Sequence, residues 1–389
     1  MAASSSSPAA VQPPWWQPQD FARRRPVLEV RARILAALRQ YFADAGFIEV
    51  ETPALQISPG LDVHLMAFAA DYQGPLPGQE QRYWLHTSPE FAMKKLLVAG
   101  MERIFQVARV FRNGEWTPLH HPEFTMLEWY RAGAGCAALR QDCQALVQVA
   151  VHAAAQTPAA NPDPSSLRWL RRGGLQCDPF APPEVLTVAE AFQRYAGIDL
   201  LATTPDPLAP DAAGLAAAAA AVGVHTAADD SWEDVFFRIM LERIEPRLGI
   251  GRMTFLCDYP LSLACLARPH PDDPRLAERF EMYVNGVELA NAFAELTDPG
   301  LQRQRFEADL ARKQALYATR YPIDEDFLAA LACGMPESAG IALGLDRLVM
   351  LCTGMETLEA VLWCPVAAPE QATGSSPKTR DESLVFGGS

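Results

Sequence analysis

The sequence predicts an α+β fold, on three observations. The stretch from Arg109 to Tyr130, RVFRNGEWTPLHHPEFTMLEWY, reads as an apolar strand that breaks into a polar loop and returns as a second strand. Asn285-Gly286 lies between two apolar runs in ERFEMYVNGVELANAFAEL, the strongest short-range hairpin signal. Segments with apolar residues at helical spacing lie on either side of both.

A chain of 389 residues can bury a large core, in one elaborated domain or two ordinary ones. With 49% hydrophobic and 21% charged residues it has a globular composition. Its net charge of −14 leaves no broad basic surface, which disfavours a protein that grips long nucleic acid. A small anionic ligand needs only two or three placed cations. The eight cysteines form no CxxC pair and suggest neither a zinc site nor a disulfide framework. No apolar run reaches membrane-spanning length, and the start, MAASSSSPAAVQPPWWQPQD, lacks a basic segment followed by an apolar one. The expectation is a cytoplasmic chain with reduced thiols and no membrane segment.

Residues 1–20, rich in Ser, Pro and Ala, read as a tail that Trp15 and Trp16 are placed to pin. Val27, Val30, Ile34, Leu38, Tyr41 and Phe42 make one face of a helix that Gly46 ends, and a strand over 47–51 stops at Pro53. After a strand at Tyr83 to His86, Ser88 as N-cap and Pro89 as first helical residue start a helix near Glu90. An Ala-rich helix runs to about Gln156. Residues 157–184, with Trp169, Arg171 and Arg172, read as a solvated inserted loop. Helices follow over 187–196, 211–222 and 231–246, then an apolar strand with turns over 252–267, and a helix over 301–316. Small residues from Ser338 to Gly344 make a strand that leads into a helix on Leu345, Leu348, Val349 and Cys352. A second tail, 369–389, leaves a body of 21–368.

Strand parity gives these elements their chemistry. From Phe124 to Tyr130, one face carries Phe124, Met126, Glu128 and Tyr130, the other Thr125, Leu127 and Trp129. Both faces are mostly apolar, so Glu128 is a carboxylate out of water that needs a partner, either a core arginine or a ligand amine. Arg112 opens the loop, where its planar fork suits a phosphate and a carboxylate. The adjacent His120 and His121 point apart in extended chain and read as loop hydrogen bonders rather than a metal pair. In the second hairpin Val284 faces Val287, Tyr283 faces Glu288, and Glu281 lies diagonal to Glu288 on one face. Two such carboxylates repel unless a cation lies between them, and Mg²⁺ shared with phosphate oxygens suits the position; an exposed acidic face is the plainer alternative. Arg347 sits in the first turn of its helix, where the dipole favours an anion. Gly340, Ala342 and Gly344 leave room beside their strand, although tight packing selects the same residues. Glu90 is open to two readings, a surface carboxylate complementing the helix dipole or a site residue.

Together these segments resemble a known family. The first helix, its strand and Pro53 resemble motif 1 of the class II aminoacyl-tRNA synthetases; VFRNGE through HHPEFTMLEWY resembles motif 2, and GIALGLDRLVML motif 3. TSPE, PEFTMLEWY and GVELANAFAEL are most similar to the lysyl branch, over roughly residues 20–365. That branch carries an anticodon-binding domain ahead of motif 1, for which the short segment before Val27 has no room. The chain therefore resembles the truncated paralogues that attach (R)-β-lysine to elongation factor P. The resemblance implies a class II catalytic core, a mostly antiparallel β-sheet flanked by helices. It also implies ATP and Mg²⁺, (R)-β-lysine or lysine as substrate, elongation factor P as partner, a homodimer built on motif 1, and no anticodon recognition.

Residue by residue, the resemblance puts Ser88, Pro89, Glu90 and Glu128 around the substrate amino group, and Tyr130 and Glu295 at its distal amine with Asn291 assisting. Arg112 would hold the α-phosphate and the substrate carboxylate. Asn113, Gly114, Glu115 and His121 would contact ATP, and Phe124 would stack on adenine. Glu281 and Glu288 would carry Mg²⁺, while Gly344 and Arg347 complete the nucleotide site. Asn291 has the opposite parity to Glu288, which requires a bulge or bend after Leu289. Three positions depart from the lysyl pattern or discriminate within it. Gly114 precedes Glu115 where the motif usually has Glu, and His121 replaces a common Asn. Ala342 stands where lysyl-tRNA synthetases usually have Gly and the paralogues Ala, a methyl group worth about 1–3 kcal/mol of discrimination. The alternatives are a minimal lysyl-tRNA synthetase-like enzyme activating α-lysine, and a non-catalytic regulatory paralogue.

Overall fold

The computed structural model describes residues 15–157 and 168–367. The first half runs α1 (Pro18–Asp44), β1 (Ile48–Glu49), β2 (Leu55–Gln56), β3 (Ala69–Tyr72), β4 (Gln81–Leu85), α2 (Glu90–Val98), β5 (Arg103–Phe111), β6 (Glu123–Ala132) and α3 (Cys136–Ala155). The middle holds β7 (Leu170–Arg172), β8 (Leu175–Asp178), β9 (Glu184–Thr187), α4 (Val188–Ala196), α5 (Ala212–Ala221) and α6 (Trp232–Ile239). Then come β10 (Gly251–Arg252), β11 (Thr254–Pro260), β12 (Leu276–Val284), β13 (Val287–Ala294), α7 (Pro299–Tyr317), α8 (Glu325–Gly334), β14 (Ser338–Gly344) and α9 (Leu345–Thr353).

The main sheet has the order β1-β5-β6-β14-β13-β12-β11-β9. It is antiparallel throughout its interior and parallel only at its ends, where β1 pairs with β5 and β9 with β11. One face is apolar. Leu127, Trp129, Ile341, Leu343, Ala290 and Ala292 pack there against Phe42 of α1, Leu146 of α3 and Leu348 of α9. The other face carries the polar residues, with α2, α7 and α8 forming a separate apolar cluster beside them. The predicted parity of β6 holds: Leu127 and Trp129 enter the core, while Met126, Glu128 and Tyr130 line a cavity.

The second hairpin also follows its sequence. Val284 pairs with Val287 and Tyr283 with Glu288, around Asn285 and Gly286 at φ +50° and +71°. The register then slips so that Met282 pairs with Ala290 and Glu281 with Asn291. Leu289 is the extra residue of a bulge, which puts Glu288 and Asn291 on one face.

Several stretches differ from their sequence reading: the expected helix over 231–246 is α-helical only over Trp232–Ile239 and continues as a wider turn over Met240–Ile244, and α8 was not foreseen. Helix α1 begins inside the expected tail, with Pro18 in its first turn; Arg24 anchors it by donating to the carbonyl of Leu362 at 2.5 Å, and lies 5.7 Å from the Trp15 ring. The expected inserted loop, 157–184, contains a hairpin of β7 and β8 in its described part, with Leu170 and Cys177 fully buried. Its turn is Gly173-Gly174, both at positive φ, a hairpin signal hidden within a Gly- and Arg-rich composition. Residues 1–14, 158–167 and the tail from 369 lie outside the described residues. No helix among the described residues is long and apolar enough to cross a membrane.

Candidate active site

Glu128, Ala342, Asn291 and Glu281 are direct neighbours in one cross-strand row, on β6, β14, β13 and β12. The row lies across the polar face. A cavity of about 620 Å³ opens over it, lined by Ser88, Pro89, Glu90, Arg112, Glu128, Tyr130, Asn291 and Ala342 among others. Ser88 serves twice: its Oγ accepts from the backbone N–H of Glu90 at 3.0 Å and donates to Glu128 Oε2 at 2.8 Å. The helix therefore starts at Glu90, one residue later than predicted, with Pro89 rather than Ser88 at the N-cap position; Ser88 stands one residue before the cap and accepts only the first helical N–H. Tyr130 donates to Glu128 Oε1 at 2.5 Å.

The inner end of the cavity is rich in carboxylates. Glu128 and Glu295 are each 1% exposed. Burial, with the charge of Glu90, pushes the Glu128 carboxyl up to about 8. Burial also raises Glu295, against its partner Lys94. Lys94 Nζ is 2.6 Å from Glu295 Oε2 and also pairs with Glu90. Burial alone would lower the Lys94 pKa, but the two carboxylates outweigh it and raise it. Lys94 was not picked out in the sequence, although Glu90 and Lys94 stand four apart on α2, a spacing that pairs charges.

Gly340 has a different role from the one its sequence suggests. A Cβ there would lie 2.2 Å from Tyr130 Cε1 and 2.5 Å from Glu295 Oε1, so protein side chains fill the room it leaves. At Gly344 a Cβ would meet only the Arg347 side chain, at 3.4 Å or more.

The second half of the site adjoins through Arg112, whose guanidinium lies 5.2 Å from the Phe124 ring and whose buried Nε has no hydrogen-bond partner. Arg347 donates to the Glu288 carbonyl and to His120 Nε2, both at 2.8 Å, and lies 3.9 Å from Glu288 Oε2. Because arginine only donates, His120 Nε2 must accept, and Nδ1–H donates to Thr117 Oγ1 at 2.8 Å. Burial and the charges of Arg347 and Arg112 hold His120 neutral, with a pKa of about 3.

The loop residues separate. Asn113 and Gly114 are exposed, whereas Glu115 turns inward and is 8% exposed. His121, expected at ATP, is buried: its Nδ1 contacts the Glu123 carbonyl at 2.6 Å and its Nε2 accepts from the N–H of Val366 at 3.3 Å. Both ring nitrogens are committed to backbone, and the neighbour His120 takes the place beside Arg347.

The expected metal pair is also modified. Glu281 accepts from Arg279 at 2.6 Å and from Tyr283 at 2.7 Å, so the cation beside it is a protein guanidinium. Arg279 lies two residues before Glu281 on the same strand face, a signal the sequence carried. Glu245, with no local signal, joins the same cluster; burial, then Glu281 and Glu288, raise its carboxyl to about 8. Like-charge crowding of this kind fits a divalent cation. No group of three or more metal-ligating side chains converges among the described residues. A Mg²⁺ here would be held by Glu288, with Glu281 second, and would take further oxygens from phosphate, as Mg²⁺ commonly does.

A cavity with buried carboxylates, joined through Arg112 to an arginine-flanked carboxylate cluster on an antiparallel sheet, suits an amino-acid-activating ligase that uses ATP. Residues 21–368 match the model for the tRNA synthetases class II (D, K and N), and the chain belongs to that family. Family membership brings ATP and Mg²⁺ as the general reactants of the site.

Proposed function

We propose that the protein activates a diamino acid of the lysine type, (R)-β-lysine foremost, as an aminoacyl-adenylate and transfers it to a lysine side chain of elongation factor P. One observation carries the choice of substrate. Glu90, Glu128 and Glu295 gather around a single ammonium, Lys94, which pairs with Glu90 and Glu295 and leaves Glu128 with hydroxyl partners only, so three acidic groups meet one cation. A diamino acid supplies two ammonium groups, while its carboxylate is left for Arg112. An amino acid with one amine would leave a buried carboxylate uncompensated, or protonated.

In the first step a substrate carboxylate oxygen attacks the α-phosphorus in line, and the bond to pyrophosphate breaks. Arg112 neutralises charge on the α-phosphate, and Arg347, held by His120 and the Glu288 carbonyl, does so toward the leaving group. Mg²⁺, where bound by Glu288 and Glu281, supplies further neutralisation of the phosphates. In the second step the neutral amine of the acceptor lysine attacks the adenylate carbonyl carbon, an amide bond forms as the bond to AMP breaks, AMP leaves, and the amine's extra proton passes to solvent. Positioning and electrostatics do most of this work, with no protein nucleophile.

Ala342 supports the β-lysine assignment, since its methyl lies on the pocket floor between Glu128 and Asn291. The net charge of −14 favours a protein acceptor over tRNA. A homodimer through α1 is part of the proposal; a groove lined by Leu35, Ala36, Phe47 and Trp363 runs along that helix, and sedimentation analysis tests it. The functional test is ATP–pyrophosphate exchange with (R)-β-lysine and α-lysine, followed by intact mass of purified elongation factor P. Exchange without mass gain on the acceptor removes the acceptor assignment and keeps the activation step. Charging of tRNA with α-lysine instead would establish the lysyl-tRNA synthetase-like alternative.

A further inference from the structure

Arg279 is a buried, fully engaged charge that neither the family motifs nor the mechanism uses. It is 7% exposed and spends each face of its guanidinium on a different element. Nε donates to Asn291 Oδ1 at 3.0 Å, Nη2 to Glu281 Oε1 at 2.6 Å, and Nη1 to the carbonyl of Leu263 at 2.7 Å. Its plane sits 4.3 Å from the Tyr259 ring centre. These partners belong to different parts of the site: Asn291 and Leu263 line the amino-acid cavity, whereas Glu281 belongs to the carboxylate cluster beside Arg347.

An asparagine side chain has two chemically opposite ends, and nothing in its own sequence context decides which faces a ligand. Arginine has donors only, so the end of Asn291 nearest Arg279 must be the oxygen. The same guanidinium prevents Glu281 from swinging, because its carboxylate is held from one side by Nη2 and from the other by the Tyr283 hydroxyl.

We propose that Arg279 is a positioning residue for amino-acid activation: it fixes the orientation of the Asn291 amide toward the substrate and registers that amide against Glu281 on the phosphate side. The role rests on the activation reaction proposed above. A lysine at this position keeps a positive charge beside Glu281 but has no planar fork to span both partners.

The test is a double-mutant cycle in ATP–pyrophosphate exchange with the diamino acid, using wild type, R279K, N291A and R279K/N291A. R279K is expected to raise the amino-acid KM about tenfold, the scale of a hydrogen bond to a charged group, with kcat changed much less. In the N291A background the same substitution is expected to change that KM less than about twofold, since its route of action is already gone. Equal effects in the two backgrounds, or no KM effect, overturn the role. If R279K does not fold, Asn291→Asp answers the same question: its carboxylate still accepts from Arg279 but puts an oxygen where the N–H faces the substrate, so the amino-acid KM is expected to rise about tenfold with the melting temperature little changed. An unchanged KM in Asn291→Asp overturns the role. Wild-type protein that shows no diamino-acid-dependent exchange removes the functional reading and this role together, whereas an active wild type with an additive cycle removes this role alone.

Discussion

Glu128 makes substrate affinity depend on pH in a direction and size that can be worked out. In the empty pocket its carboxyl titrates at about 8, raised from an ordinary 4.5 by burial and by Glu90. It is then roughly 99% protonated at pH 6, and half protonated at pH 8. Binding an ammonium requires the charged form, so at pH 6 the protein spends about 2.7 kcal/mol ionising Glu128 before the contact forms. The slope is that expected for a ligand amine that stays charged over this range, as an amine with an ordinary pKa of about 10.4 does. The amino-acid KM is therefore expected to fall about 50-fold between pH 6 and pH 8, with close to one proton released per ligand bound at pH 6–7. Exchange kinetics across pH, and calorimetry in two buffers of different ionisation enthalpy, measure both quantities. The stability of the empty protein moves the opposite way. A raised carboxyl contributes stability fully below about 4.5 and loses it as pH rises through about 8, so ligand protection against heating should grow over the same interval. Glu128→Gln should abolish the slope and raise KM at pH 8. A flat wild-type profile, or an unchanged slope in Glu128→Gln, refutes the argument.

Gly340→Ala places a methyl against Tyr130 and Glu295 at 2.2–2.5 Å, an overpacking cost of about 1–3 kcal/mol. Its amino-acid KM should rise about tenfold while the ATP KM stays within about twofold, read from exchange kinetics with each substrate varied. Asp346→Asn leaves the buried Arg31 guanidinium, now 2.5 Å from Asp346, without its charge partner, and should lose about 3–5 kcal/mol in chemical denaturation. His120→Ala frees one arm of Arg347 and should raise the ATP KM severalfold; because His120 is neutral, with a pKa of about 3, that ratio should stay constant between pH 5 and pH 8.

Much of the fold was legible because strands alternate and tight turns have fixed chemistry. The parity of β6 separated Leu127 and Trp129 from Glu128 and Tyr130, and Asn285-Gly286 set the pairing at its end of the β12–β13 hairpin. The demand that Asn291 share a face with Glu288 even located the bulge at Leu289. What the sequence hid were relations between distant elements. Arg279 and Glu281 are two apart in the chain, yet that the cation beside Glu281 is a guanidinium became plain only with the strands assembled. The choice of His120 over His121 depends on the C-terminal segment, where the N–H of Val366 takes the His121 ring. The hairpin of β7 and β8 was missed for a different reason: three-residue and four-residue strands are too short to show a period, so only Gly173-Gly174 marked it.

The row of Glu128, Ala342, Asn291 and Glu281 acts as a ruler. Its graduations are strand spacings of about 4.8 Å, maintained by backbone hydrogen bonds rather than by any of the four side chains. From the first carboxylate strand to the amide strand is two steps, about 9.6 Å, and one more reaches the second carboxylate. Mutation can replace what stands on each mark, a methyl for a hydrogen or an amide for an acid, but it cannot move the marks. A sheet of this register is thus free to change the side chains along the row, while the spacing between its two ends stays fixed.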